Sequence, residues 1–274
     1  MAPDTQRSLD ITYNAFKSPV EIIEPGCDRI SFDYNMANAR STMYYGGLQE
    51  DKRLRPLRKH YSIDGSMEIK HNTQTGETEF ITYIGGDGYS APVVLKSDGT
   101  TQEYLYLHRD YQGTILAITN QAGDIVEKRL FDAWGAVVKI QDGAGNTLSG
   151  FVVLDRGYTG HEHLQGVNLI HMNARLYDPV LHRFLQPDNF IQDPYNTQNY
   201  NRYGYVLNNP LKYTDYSGEE YNNGEGGGMS DFKKSLIAAG IASIIKGWDK
   251  LGIKDWAKRN ISWRQIGNGL KDFF

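Results

Sequence analysis

The chain has 274 residues, 39% of them hydrophobic and 23% charged, a balance that excludes a disordered protein and allows one large or two small cores. A formal net charge of −4 gives no electrostatic reason to expect nucleic acid as a partner. The single cysteine, Cys27, excludes an internal disulfide; without a CxxC pair or a His/Cys cluster it offers no zinc site, so it is expected as a small buried hydrophobe.

The pairing of 19 Tyr with 29 Gly suits many short strands joined by turns, because aromatic rings fill half-buried pleated surfaces and glycine accepts positive φ. The N-terminal stretch MAPDTQRSLDITYNAF has no basic segment followed by an apolar one, so no signal peptide is expected, and it reads as the inside of a repeat, which favours a fragment. Ile11 to Ile22 and Arg129 to Ile140 share an aromatic residue, Asn or Asp, Ala, an aromatic residue, a turn and a second alternating strand. Each unit predicts a hairpin. Arg29 to Tyr34 and Tyr104 to Tyr111 add aromatic-plus-Asp strands, and the alternation between Tyr61 and Lys96 adds three more. Residues 11–155 therefore read as one meandering β segment. The basic run from Asp51 to Lys59 is expected as a solvated strand pair or loop at an exposed edge, given Pro56 and the alternating Leu54 and Leu57.

From Tyr158 to Gly218 the chain carries Asp, Asn, Pro, Gly and Tyr at a density that predicts a series of tight corners. Within it, ARLYDPVLHRFLQPDN (174–189) and NRYGYVLNNPLKYTDYSG (201–218) closely resemble the RHS-repeat-associated core that closes RHS/YD-repeat proteins, a family that includes bacterial polymorphic toxins, C components of insecticidal toxin complexes and teneurins. The upstream aromatic-plus-Asp hairpins resemble YD repeats. A lone hairpin cannot bury its aromatic face, so successive hairpins must pair edge to edge. The resemblance implies a mainly β fold, part of a spiral β-cocoon shell whose core seals one end.

After Gly218 the composition changes. Residues 219–229 read as a Gly-rich linker, and from Ser230 a helix cap is followed by Phe232, Leu236, Ile237, Ile241, Ile244, Ile245 and Trp248 at helical spacing in a basic tail. That helix is expected to touch a membrane surface as part of an effector, to bind a partner or immunity protein, or to fold back on the shell; its apolar run is too short to span a bilayer. No nuclease, deaminase or ADP-ribosylating signature is legible there. The organisation expected is thus 1–155 as repeat sheet, 156–218 as core, 219–229 as linker and 230–274 as a variable helical region.

In several branches of the family the core resembles an aspartyl peptidase that cuts after a closing Asp-Pro-x-Gly-Leu motif. Two carboxylates held close share a proton, so one serves as base on a water while the other acts as acid. The candidate dyad is Asp188 with either Asp193 or Asp215, with Arg183 as a charge partner and Gly218 and Glu219 as the residues at the cut. Tyr216 stands where the motif has Pro and Glu219 where it has Leu, and both departures count against cleavage. The structural reading of the same aspartates is that Asx side chains cap their own turns. His161 and His163, on one face of a strand beside Glu162, and His171 suggest a metal, but no fourth ligand stands at diagnostic spacing and none is expected. Tyr195, Tyr200, Tyr203, Tyr205 and Tyr213 are expected to pack the core against the shell.

The function implied is structural. The shell encapsulates or presents a C-terminal effector, secreted or at the bacterial surface, with its own C-terminal region as cargo and with upstream shell, a delivery apparatus or an immunity protein as partners. The alternatives are a self-cleaving core and an adhesive repeat protein without a toxin.

Overall fold

The computed structural model describes residues 7–223. Twelve strands, β1 (Asp10–Tyr13), β2 (Pro19–Glu24), β3 (Asp28–Tyr34), β4 (Arg40–Tyr45), β5 (Leu57–Tyr61), β6 (Met67–Asn72), β7 (Thr78–Ile84), β8 (Val93–Ser97), β9 (Gln102–Arg109), β10 (Ile115–Thr119), β11 (Ile125–Phe131) and β12 (Val137–Asp142), form one antiparallel sheet in sequence order. The expected mainly β fold is therefore found, and the two repeat units are the hairpins β1–β2 and β11–β12.

The Asn or Asp at the end of the first strand explains the repeat, whether it follows an aromatic residue, as at 14, 35 and 132, or Arg109 and Thr119, as at 110 and 120. At positions 14, 35, 110, 120 and 132 its side-chain oxygen accepts from the amides two and four residues on, which closes the loop from within. The residue three positions on is left-handed in each case: Lys17, Asn38, Gly113, Gly123 and Gly135. This is a type I turn completed by a left-handed residue, and the register shift it introduces appears beside these turns as a bulge. At Gly135 a side chain is also excluded by space, since a Cβ there would lie 2.5 Å from the Tyr158 ring.

One face of the sheet is covered by the chain downstream of it. Phe151, Val153 and Leu154 begin a strap; β13 (Glu162–Leu164), β14 (Leu169–Met172), β15 (Arg175–Asp178) and β16 (Arg183–Phe184) then form a second, four-stranded sheet. Ile22, Ile30, Phe32 and Met43 pack on Leu164, Val167, Leu169 and Leu176, while Ile81, Val94, Leu105, Ile115 and Ile118 pack on Val153 and Leu154. Each fully buried large aliphatic side chain contributes about 1.5–3 kcal/mol.

Between these two apolar regions the sheet presents charge. Lys59 on β5 is fully buried, and its Nζ lies 2.9 Å from Glu68, 3.0 Å from Asp155 and 2.5 Å from Glu162. Lys70 reaches Asp155 at 2.8 Å, Arg156 reaches Glu68 at 2.8 Å and Arg40 reaches Glu162 at 2.5 Å. Burial alone would raise the Glu162 and Asp155 carboxyls, but the surrounding cations hold both well below the usual range. Burial would likewise lower Lys59, yet its three carboxylates raise it well above an ordinary lysine. Further along the strap, Glu127 accepts from the amides of Val152 and Val153, and Arg129 donates to the carbonyls of Leu154 and Arg156.

Two expectations are corrected here. The basic run at 51–59 is not a solvated edge: Lys59 is fully buried, because β5 lies inside the sheet and Lys59 meets the strap, and Arg55, just before β5, is fully buried against Glu21. Cys27 is exposed, since it sits in the tight turn between β2 and β3, where no core element reaches it.

Candidate functional site

After β16 the chain makes the expected series of corners. Asp193 accepts from the amide of Tyr195 and Asn196 from that of Gln198, as Asp178 does before β16 from those of Val180 and Leu181. A 3-10 turn at Val206–Asn208 leads into β17 (Tyr213–Thr214), which pairs with β18 (Asn222–Asn223).

These corners bring Arg175 to the centre of a small cavity of about 40 Å³, lined by Asp188, Asp215, Glu219 and Tyr221 among others. Its guanidinium lies 3.6 Å above the Phe184 ring, and Nη2 contacts Asp188 at 3.0 Å and Asp215 at 3.2 Å. Nε of Arg175 donates to the Gly218 carbonyl. Asp215 is buried and accepts from the amide of Gly218 at 2.7 Å and from the amide and hydroxyl of Ser217. Burial pushes its carboxyl up to about 6, against the pull of Arg175 and those hydrogen bonds. Asp188 is more open, with its side chain 16% exposed, and it accepts from the amide of Phe190.

The structure thus gathers Asp188, Asp215 and the carbonyl of Gly218, and leaves out two of the candidates. Asp193 serves its own turn, and Arg183 is exposed, opposite Asp178 in the β15–β16 pair. The cation that meets the aspartates is Arg175, which sequence reasoning missed; its place in ARLYDP, at the start of a strand, gave no signal of which carboxylates it would reach. Gly218 is fitted closely, because it is left-handed at φ +75° and a Cβ there would lie 1.9 Å from the Met172 carbonyl oxygen. Tyr216, in the motif's Pro position, is anchored instead: its hydroxyl donates to the Gln112 carbonyl and its own carbonyl accepts from Asn173 at 2.7 Å.

The histidines do not converge. His161 precedes β13 and bonds to Thr159 at 2.7 Å; His163 accepts from the Tyr158 amide, and burial with Arg129 nearby lowers it to about 3. His171 lies edge-on to Phe32 at 5.3 Å, and burial and Arg40 hold it well below its ordinary range. Among the described residues no group of three or more His, Cys, Asp or Glu is placed to hold a metal ion, and no helix is long and apolar enough to cross a membrane. Of the tyrosines expected to pack, Tyr205 is buried and Tyr213 half-buried, whereas Tyr195, Tyr200 and Tyr203 are exposed on the corner tips. The helical tail and most of the linker lie outside the described residues. Of the residues expected as linker, Glu219 and Glu220 are held in a turn by Ser217 Oγ, and Tyr221 is held on the body by Gln192.

The teneurin YD-shell family model matches residues 68–211, more than half of the chain, and the chain belongs to that family of RHS/YD-repeat shell proteins. It is similar to the tRNA3(Ser)-specific nuclease WapA of Bacillus spizizenii, at 26% identity, and to the tRNA nuclease WapA of Bacillus subtilis, at 28%, each over 162 residues. These matches cover 58% of this chain and 6% of either relative, so the chain spans a small part of their length. Among solved structures it resembles TcdB2-TccC3-Cdc42, with a TM-score of 0.61 at 16% identity, and TcdB2-TccC3 without its hypervariable C-terminal region, with 0.58 at 17%; each match covers 77% of this chain and 10% of the other. The Tc holotoxin pore of Photorhabdus luminescens gives 0.56 at 16%, covering 78% and 10%. At these identities the likeness shows the fold.

Proposed function

We propose that this chain is a closing part of an RHS shell, secreted or at the bacterial cell surface, that encloses or presents the region downstream of Gly218 in toxin delivery or cell-contact competition. The observation that carries this reading is the strap and core fastened across one face of the twelve-stranded sheet by buried charges. The hypervariable C-terminal region named for TcdB2-TccC3 and the nuclease activity named for the WapA proteins support it by analogy. Expression of residues 219–274 alone is expected to slow growth of the host cell, and the full chain to slow it less. Equal growth with both favours an adhesive repeat protein without cargo.

A second reading is favoured by the Arg175 site: self-cleavage between Gly218 and Glu219. Arg175 Nε polarises the Gly218 carbonyl; Asp188, the more open carboxylate, takes a proton from a water whose oxygen bonds to the carbonyl carbon, and Asp215, held as the acid, gives its proton to the Glu219 nitrogen as the C–N bond breaks. Intact-mass spectrometry is expected to find a body and a tail for the wild type, with cleavage slowing as pH rises through about 6, and one mass for Asp188→Asn. A single full-length mass for both proteins removes this reading and leaves the shell.

A further inference from the structure

The amides of Gly218, Glu219, Glu220 and Tyr221 each donate to a side-chain oxygen: Asp215 Oδ1 at 2.7 Å, Ser217 Oγ at 3.1 Å for both glutamates, and Gln192 Oε1 at 3.1 Å. Gln192 also returns a bond, from Nε2 to the Tyr221 carbonyl at 3.0 Å, so its carboxamide meets both polar groups of one residue, as a neighbouring strand would. The Tyr221 ring packs edge-on to Tyr213 at 5.3 Å, and the next two residues pair with Tyr213 and Thr214. Asp215 and Ser217 thus cap the turn through Glu220, and from Tyr221 to Asn223 the chain lies strand-like against Gln192 and β17, beside the Arg175 cavity that Glu219 and Tyr221 line.

We infer that Gln192, with β17, forms a strand-docking site for the first residues downstream of Gly218, which keeps that segment bound to the body whether or not the chain is continuous there. Most of its contacts are to backbone, and the Tyr213–Tyr221 ring pair is the main side-chain recognition. Such a site tolerates different downstream sequences while setting one register for them. In the self-cleavage reading, on which only this corollary rests, Gln192 is a positioning residue that holds the chain at Tyr221, just beyond the cut, and the product stays docked.

The test is hydrogen exchange read by mass spectrometry on the full chain, comparing the wild type with Gln192→Ala and with Tyr221→Pro, which removes the donor on the other side. Gln192 is exposed, so its replacement spares the core, and unchanged exchange across residues 175–188 controls for that. Exchange across 219–223 is expected to be about tenfold faster in Gln192→Ala than in the wild type, with Gln192→Glu in between because it keeps only the acceptor. Equal exchange in wild type and Gln192→Ala overturns the docking site. This comparison stands even if intact mass shows no cleavage, so loss of the peptidase reading and loss of the docking site are separate outcomes. If the wild type does cleave, its two pieces are expected to co-elute on size exclusion and those of Gln192→Ala to separate.

Discussion

Arg175 decides the chemistry of the cavity because one guanidinium answers two carboxylates and a carbonyl at once. Asp215 is nonetheless buried enough that its carboxyl rises from 3.8 to about 6. The folded chain then keeps a proton that the unfolded chain releases between these values, so Asp215 contributes stability that is fully present below about pH 4 and is lost as pH rises through 6. Urea unfolding of the wild type and Asp215→Asn across pH 4 to 7 is expected to show the difference moving in favour of the Asn variant, by on the order of 2–3 kcal/mol. A difference flat with pH would mean that Asp215 does not titrate in this window. The aspartates were legible as candidates through the resemblance to the family core, while their own corners spoke only for turn capping; which of them would meet was not legible, because Arg175, Asp188 and Asp215 are separated by two series of turns whose directions compound.

At the scale of elements, the strap is held by charge where the sheet changes from one apolar region to the next. Lys59 answers three carboxylates, and removing it leaves Glu68 and Glu162 buried with one cation fewer. Lys59→Met is expected to cost on the order of 3–5 kcal/mol by urea unfolding, and to speed hydrogen exchange at Val152 and Val153 as the strap loosens. A loss below about 1 kcal/mol would show that the network is incidental to the fold. The hairpins were readable from their own turns. The burial of β5 was not, because Leu-Arg-Lys-His-Tyr has the polarity of an exposed edge, and the partners that neutralise it, Asp155 and Glu162, arrive about a hundred residues later.

In the whole described body, the turns at 14–18, 85–92, 110–114 and 132–136 fall at one end of the meander, and the core closes over that end. Lys17 bonds to Asn189, Tyr89 to Asn173 and Tyr111 to the Leu211 carbonyl, while Tyr158 and Tyr177 donate to the carbonyls of Ala133 and Trp134. Tyrosine suits this seam because, as at Tyr158 and Tyr177, its ring packs in the core while its hydroxyl satisfies a turn carbonyl. The abundance of Tyr thus serves the joint between sheet and core as well as the sheet itself. The growth comparison between residues 219–274 and the full chain belongs to this scale, since it asks whether a body closed in this way restrains the region downstream of it.

By itself the sequence determined the local and the periodic: Asx-capped turns with a left-handed fourth residue, alternating strands between them, the class of fold and the membership of the shell family. These arise from interactions within about five residues, which a chain displays directly. Tertiary structure alone decided that Lys59 and Arg55 are buried, that Cys27 is not, that Arg175 rather than Arg183 joins the aspartates, and that Gln192 holds the chain beyond Gly218. Each of these depends on where a distant segment crosses the sheet. That crossing is set by packing and charge across the whole body, and no local pattern records it.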